Sequence, residues 1–313
     1  MSPALNLIFC GTPAFAVPIL QKLHESGFHL DLVVTQPDRP RGRGMELATS
    51  PVKQKALELR IPFTQPQKIR DNKEFRGQLG AIQPDAIIVV GYGRMIPDWM
   101  IDLPRLGNIN LHASLLPKYR GAAPIQWAIA RGETVTGVTT MRIDAGLDTG
   151  DILMQKEVPV SPEDTTETLG SRLAAIGADL MVETLHELAR GAVQPRPQDN
   201  TEATFAPVLR KEDGRIDFQR SAHEIWNRLH GFQPWPGAFT SFRGKNLNVW
   251  DAKPLDSIAP AVSELIVDNG RLMVGCGHST SLELLVLQPE GKKRISAGDF
   301  LHGYRPANGE RLG

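Results

Sequence analysis

Polar side chains recur at alternate positions in Asn108-Ile109-Asn110-Leu111-His112-Ala113-Ser114. If residues 109–113 form a strand, its period of two puts Ile109, Leu111 and Ala113 on one face and Asn110, His112 and Ser114 on the other. A parallel strand between helices is normally apolar on both faces, so a polar row there costs free energy unless each group has a partner. Such groups at the carboxyl end of a strand face a ligand crevice. The competing reading is an internal network of satisfied hydrogen bonds. A carboxylate follows in Asp144-Ala145-Gly146-Leu147-Asp148-Thr149-Gly150-Asp151, where Gly146 and Gly150 bracket Asp148. That pattern suits a tight loop presenting one carboxylate to a pocket, or else an Asx cap of the loop itself.

Basic residues form the other set with chemical potential. Arg39, Arg41 and Arg43 lie among Pro and Gly within residues 36–49, opposed only by Asp38 and Glu46. The segment is long for a βα connection, where about 2 to 6 residues suffice. It reads as a loop, either a mobile finger whose arginine forks grip phosphate or plain solvated charge. Arg210, Lys211, Lys292, Lys293 and Arg294 cluster later in the chain. Each cluster alone is ordinary surface charge, and only their sum points to an anionic partner.

These groups need a scaffold. Residues 5–10 are an apolar run ending at Gly11-Thr12-Pro13, residues 14–25 have helical spacing up to Gly27, and residues 30–35 are apolar again. That is a βαβ opening with a parallel pair. Ser50 and Pro51 start a helix to about residue 60, and a short helix covers 73–79. A strand at 85–90 then leads into the turn Gly91-Tyr92-Gly93-Arg94-Met95-Ile96-Pro97, whose backbone groups are free to bond a planar heterocycle. After the central strand come a helix over 122–130, a strand over 136–143 and a long helix over 165–190. Gln194-Pro195-Arg196-Pro197-Gln198-Asp199-Asn200 has the composition of a linker. Beyond it, the capping box Ser221/Glu224, the hairpin signals Arg243-Gly244-Lys245 and Asp268-Asn269-Gly270, a strand at 282–287 and a helix at 296–301 suggest a small barrel. The expected class is therefore α/β. A doubly wound, mostly parallel, Rossmann-like sheet occupies residues 1–190, a linker 191–206, and a smaller OB-like β-barrel 207–313.

Composition narrows the function classes. With 313 residues and 41% hydrophobic content the chain has ample material for two domains, and its formal charge is zero. Neutrality overall hides any local basic patch. Cys10 and Cys276 are too few for a zinc motif. With no apolar stretch of roughly 18 to 20 residues, a soluble, cytoplasmic protein without membrane insertion is expected. Gly11-Thr12-Pro13-Ala14-Phe15 lacks the G-x-G-x-x-G glycines, so neither a nicotinamide nor a flavin cofactor is expected.

His112-Ala113-Ser114-Leu115-Leu116-Pro117-Lys118-Tyr119-Arg120-Gly121, joined to Leu147-Asp148-Thr149-Gly150-Asp151, closely resembles the folate-dependent formyltransferases. Gln36-Pro37-Asp38-Arg39-Pro40, Gly121-Ala122-Ala123-Pro124-Ile125-Gln126 and Gln233-Pro234-Trp235-Pro236-Gly237-Ala238-Phe239 narrow the resemblance to their methionyl-tRNA formyltransferase branch, over almost the whole chain. The resemblance implies transfer of a formyl group from 10-formyltetrahydrofolate to the amino group of methionine on initiator tRNA, with no metal. By the same resemblance Asn110, His112 and Asp148 form the catalytic trio. Folate lies along Gly91, Tyr92, Gly93, Arg94, Met95, Ile96 and Pro97 and along Ser114, Leu115, Leu116 and Pro117. Arg39, Arg41, Arg43, Arg210, Lys211, Lys292, Lys293 and Arg294 are the expected tRNA contacts, and a monomer is expected. The residue types suit the reaction. An amine attacking a formyl carbon makes an oxyanion, for which an asparagine amide and a histidine N–H are donors, while a carboxylate orients the imidazole and favours its protonated form. A sugar-nucleotide amine formyltransferase or a formyltetrahydrofolate hydrolase would share the His-x-Ser-Leu-Leu-Pro core, and a ligand-sensing α/β binding protein would explain the polar strand end without chemistry.

Overall fold

The computed structural model describes residues 5–41, 46–256 and 260–313. The chain divides into two compact units: Met1–Pro124, Val135–Pro159 and Gly170–Ala206 form the first, and Ile125–Thr134, Val160–Leu169 and Pro207–Gly313 the second. The first 190 residues carry strands β1 (Asn6–Gly11), β2 (His29–Val34), β3 (Arg39–Arg41), β4 (Glu46–Ala48), β5 (Phe63–Thr64), β6 (Ala86–Val90), β7 (Asn108–His112), β8 (Val135–Arg142) and β9 (Ile152–Pro159). Their helices are α1 (Val17–Glu25), α2 (Pro51–Glu58), α3 (Lys73–Ile82), α4 (Asp98–Ile101), α5 (Pro124–Ala130) and α6 (Thr166–Ala189).

The main sheet of the first unit has the order β5-β2-β1-β6-β7-β8-β9. Its first five strands are parallel, and β8 and β9 continue it antiparallel. β6 is buried along its whole length and β1 along all but its first residue, as strands covered on both faces must be. The chain winds outward from β1 through β2 to β5, then returns past β1 to β6 and β7. The carboxyl ends of β1 and β6 therefore open at the topological switch point, where α/β sheets bind ligands. On the apolar face of β7, α6 passes so close that a Cβ at Gly177 would stand 2.6 Å from Leu111 Cδ2. That face is closed, as the alternation in the sequence requires.

β5 and α4 are short elements absent from the sequence reading, and two longer stretches also differ from it. Residues 152–159 form β9, where no strand is expected; Ile152 and Leu153 are buried, but Lys156 and Glu157 are exposed on this edge strand, which blurs the alternation. Part of the 36–49 segment is a hairpin rather than a loop, with Arg39 paired to Ala48 and Arg41 to Glu46. Its root is anchored. Asp38 accepts from Lys53 Nζ at 2.5 Å and from Gln65 Nε2 at 2.7 Å, which hold its carboxyl below the usual range, and Gln65 Nε2 also donates to Gln36 O. Arg39 is exposed, and Arg43 lies outside the described residues.

The second unit is built on β10 (Ala238–Phe242), β11 (Lys245–Leu255), β12 (Leu265–Asp268), β13 (Arg271–Gly275), β14 (Ser281–Pro289) and β15 (Ile295–Ser296), with α7 (Ala222–Gly231) and α8 (Ala297–Tyr304). Five strands form an antiparallel path β10-β11-β14-β13-β12, with β15 on β14. Both hairpin turns have positive φ at their two central residues, Arg243-Gly244 and Asn269-Gly270, which matches the twist of the flanking strands. Register shifts at 249–252 let β11 curl. The sheet is then closed by the chain's last residues: Leu312 bridges Phe242, Arg311 bridges Glu264, and Gly313 N donates to Ser241 O. Phe242 packs edge-on against Phe300, which stacks on Tyr304, in the core of this unit.

The capping box that the sequence shows is formed, with Ser221 Oγ accepting from Glu224 N and Glu224 Oε2 accepting from Ser221 N. Ser221→Ala removes one of these bonds and should cost the unit about 1 kcal/mol. Amide exchange at the first turn of α7 should accelerate in proportion; unchanged protection there would show that the cap is energetically idle.

Candidate active site

The polar row on β7 meets three different fates. Ser114 is wholly buried; its Oγ donates to Lys118 O at 2.6 Å, and its carbonyl accepts from Thr139 Oγ1 at 2.6 Å. It belongs to an internal network. His112 is buried with Nε2 2.9 Å from Tyr119 O and Nδ1 3.7 Å from Asp148 Oδ2. A carbonyl only accepts, so Nε2 carries a hydrogen and donates it to Tyr119 O, which leaves Nδ1 as the ring nitrogen on the side of the carboxylate. Asn110 is half-buried, and its carboxamide makes no hydrogen bond among the described residues. A partly accessible amide donor without a protein partner, on the strand face that carries His112, is available to a ligand.

The loop after β8 sorts its aspartates. Asp144 is the capping residue, accepting from Gly146 N at 3.0 Å and from Thr149 Oγ1 at 2.7 Å. Asp148 makes no such cap and turns its carboxylate toward Gly121 N and the His112 ring. Asp148 has φ +52°, and its Oδ2 accepts from Gly121 N at 2.8 Å. Gly121 has φ +123°, and a Cβ there would lie 2.6 Å from Ala206 O. A Cβ on Gly150 would fall 1.9 Å from Arg142 O, so the loop closes only because that position is glycine.

The presumed linker is part of this construction. Arg196 pairs with Ile152, and Phe205 with Arg120. Tyr119 N donates to Thr204 Oγ1, Arg120 N to Thr204 O, and Ala123 N to Ala206 O. Gln198 Nε2 donates to Asp148 O at 2.9 Å and Gly150 O at 2.8 Å, while its Oε1 accepts from Arg120 Nε and Nη2. Residues 194–206 therefore do not span open solvent; their backbone and amides satisfy the strand-to-loop turn that carries His112's partners. Proline-rich, polar composition has no periodicity that would reveal this.

The expected folate turn stands at the switch point, but its groups are partly engaged. The Tyr92 ring is turned into the core, where burial pushes its phenol up, and its hydroxyl has no hydrogen-bond partner among the described residues. Tyr92 O accepts from Gln36 Nε2 at 3.0 Å and Thr12 Oγ1 at 3.3 Å, and Arg94 Nε donates to Gln36 Oε1 at 3.1 Å. Thus the carbonyl expected to be free is occupied, and Gln36 and Thr12, which sequence reasoning missed, fix the turn. Gly91, Gly93 and Met95 are exposed, whereas Ile96 and Pro97 are partly or wholly buried. Leu116 is buried against Met141 and Ile152, so with Ser114 it frames the site from behind, while Leu115 and Pro117 remain partly accessible. In the second unit Arg210, Lys211, Lys292, Lys293 and Arg294 are all exposed. The Arg294 guanidinium lies 3.3 Å above the Trp250 ring, and Trp250 Nε1 donates to Gln288 Oε1.

A sheet of this order, with a histidine–carboxylate pair and a free amide at one strand end, has the parts for acyl transfer to an amine. Residues 5–185 match the family model described as formyl transferase, and residues 208–305 the one described as formyl transferase, C-terminal domain: the fold is that of a formyl transferase. An N-formyltransferase from Helicobacter canadensis, solved with folinic acid and dTDP-3-aminofucose, shares the fold with a TM-score of 0.66 at 18% identity, over 91% of this chain and 99% of its own. Curated relatives are much closer in sequence. The methionyl-tRNA formyltransferase of Koribacter versatilis is 63% identical over 307 residues, 98% of each chain, and that of Acidobacterium capsulatum 59% identical over 312 residues, 99% of this chain and 100% of the relative. The chain belongs to the methionyl-tRNA formyltransferase family.

The fit at Gly150 gives a test of the loop. Gly150→Ala should displace Asp148 and lower kcat for formyl transfer on the order of a hundredfold, the scale of a misplacement of about 1 Å. Turnover equal to wild type would mean that the loop relaxes without moving the carboxylate.

Proposed function

We propose that this protein transfers the formyl group of 10-formyltetrahydrofolate to the amino group of methionine on initiator methionyl-tRNA, acting as a monomer in the cytoplasm. The observation that carries the reading is the unpartnered Asn110 carboxamide on the same strand face as His112, whose Nδ1 lies beside Asp148. Asn110 Nδ2 donates to the oxyanion that forms when the amine attacks the formyl carbon. His112 Nδ1 receives the proton that the attacking amine releases and returns it to N10 as the carbon–nitrogen bond to the folate breaks. Tyr119 O holds the other ring nitrogen as a donor, and Asp148 stabilises the imidazolium while the proton is in transit. The same groups would serve any amine, so specificity for tRNA rests elsewhere. The Arg39, Arg41 and Arg43 segment and the basic residues of the second unit are the surfaces that suit a phosphate backbone.

Purified protein should formylate initiator methionyl-tRNA and leave a UDP-amino sugar unmodified. Asn110→Ala should lower kcat by about a hundredfold or more, since one lost oxyanion donor is worth roughly 3 to 4 kcal/mol, and His112→Ala by about a hundredfold or more through loss of the general base. Wild-type turnover in folded His112→Ala would sink the assignment of the trio.

The basic turn that follows β14 generates a separate expectation. Charge reversal at Lys292 and Lys293 should raise KM for tRNA and reduce the slope of its logarithmic salt dependence by about 2, one for each lost phosphate contact. Folate affinity should not change. A salt slope identical to wild type would place the tRNA away from this turn.

A further inference from the structure

The buried guanidinium of Arg120 and the left-handed Asp148 are joined through one side chain, Gln198, which lies between the two family matches at 5–185 and 208–305. Arginine is only a donor, so the guanidinium must face the Gln198 oxygen, with Oε1 3.0 Å from Nε and 2.8 Å from Nη2. That fixes the orientation of the amide. Its NH₂ is left to point at two carbonyls of the Asp148 loop, Asp148 O at 2.9 Å and Gly150 O at 2.8 Å. Asn200 Oδ1 takes a further Arg120 hydrogen at 2.9 Å, which keeps the guanidinium from turning away. A non-glycine residue at φ +52° is strained, and it persists only where its surroundings over-determine it. Gly121 N determines the carboxylate end of Asp148, and Gln198 Nε2 determines its backbone end.

We propose that Gln198 is a positioning residue for formyl transfer: its amide, oriented by Arg120, holds the Asp148 backbone so that the carboxylate stays on the Nδ1 side of His112. The inference rests on the function proposed above and adds to it a residue outside the trio, in a segment without any chemistry of its own. The Gln198 amide is taken up by Arg120 and by the Asp148 loop, so its effect is expected on the chemical step and not on binding.

Gln198→Glu separates the two halves of the amide. It keeps an oxygen for Arg120 but replaces the donor to Asp148 O and Gly150 O with an acceptor, which repels them. Gln198→Met removes both halves at nearly the same volume. Both should lower kcat by tenfold or more, with KM for 10-formyltetrahydrofolate and for tRNA within about twofold of wild type, since misalignment of the reacting groups is felt in turnover. On an Asp148→Ala background Gln198→Glu should cost less than about twofold further, because residues that act through one another are not additive. The inference is overturned if Gln198→Glu turns over like wild type, if its loss is undiminished on the Asp148→Ala background, if KM rises in place of a fall in kcat, or if both variants fail to fold and so reveal a purely structural residue. Failure of the wild-type protein itself to formylate initiator methionyl-tRNA would instead remove the underlying functional reading.

Discussion

Arg120 is a buried cation whose guanidinium meets two amide oxygens, and among the described residues no carboxylate lies within 4.0 Å of it. Taking a charge out of water costs several kcal/mol unless its hydrogens are satisfied, so the chain around it has little freedom. Residues 198–206 supply that satisfaction and at the same time pair with the 117–123 turn, which in turn gives Asp148 its backbone donor and His112 its backbone acceptor. Neutral partners have a further effect. A carboxylate opposite Arg120 would put a second negative charge next to the Asp148 loop, whereas amides satisfy the guanidinium and leave Asp148 the anion that faces the imidazole.

The scaffold was legible wherever a local signal carried it. Alternation at 109–113 separated the closed face under α6 from the polar face, Ser50 and Ser221 marked helix starts that the structure caps as expected, and the two positive-φ turns of the barrel were written as Arg243-Gly244 and Asn269-Gly270. Elements without such signals were not legible. β9 is half apolar and half charged because only part of it is covered, and the 36–49 hairpin is set by pairing across its own arginines and not by apolar periodicity.

The site was legible as residue types but not as a geometry. The polar row left two readings open, and its members divide: Ser114 is spent on the fold, while the Asn110 carboxamide has no hydrogen bond among the described residues. The same division occurs in the following loop, where Asp144 takes the capping role that was one reading of Asp148. Which aspartate caps depends on the direction of each carboxylate, and spacing does not encode that. The long-range partners, Gln36 on the Tyr92 carbonyl and Gln198 on the Asp148 carbonyl, are neutral amides in segments with no pattern, so nothing short of the folded chain could have found them.

The way the second unit closes has a consequence for how it forms. Its sheet closes where the 310–313 segment reaches both β10 and the start of β12, pairings between residues distant in sequence. Such pairings come late, because the entropy of closing a long loop is lost before the new contacts return it. Without the 310–313 segment, the Ser241–Phe242 end of β10 and the start of β12 would present unpaired backbone groups, while Phe239 of β10 is met by residues 215–216. The 310–313 segment thus occupies edge groups of two strands at once, which leaves fewer of them free to template a second chain.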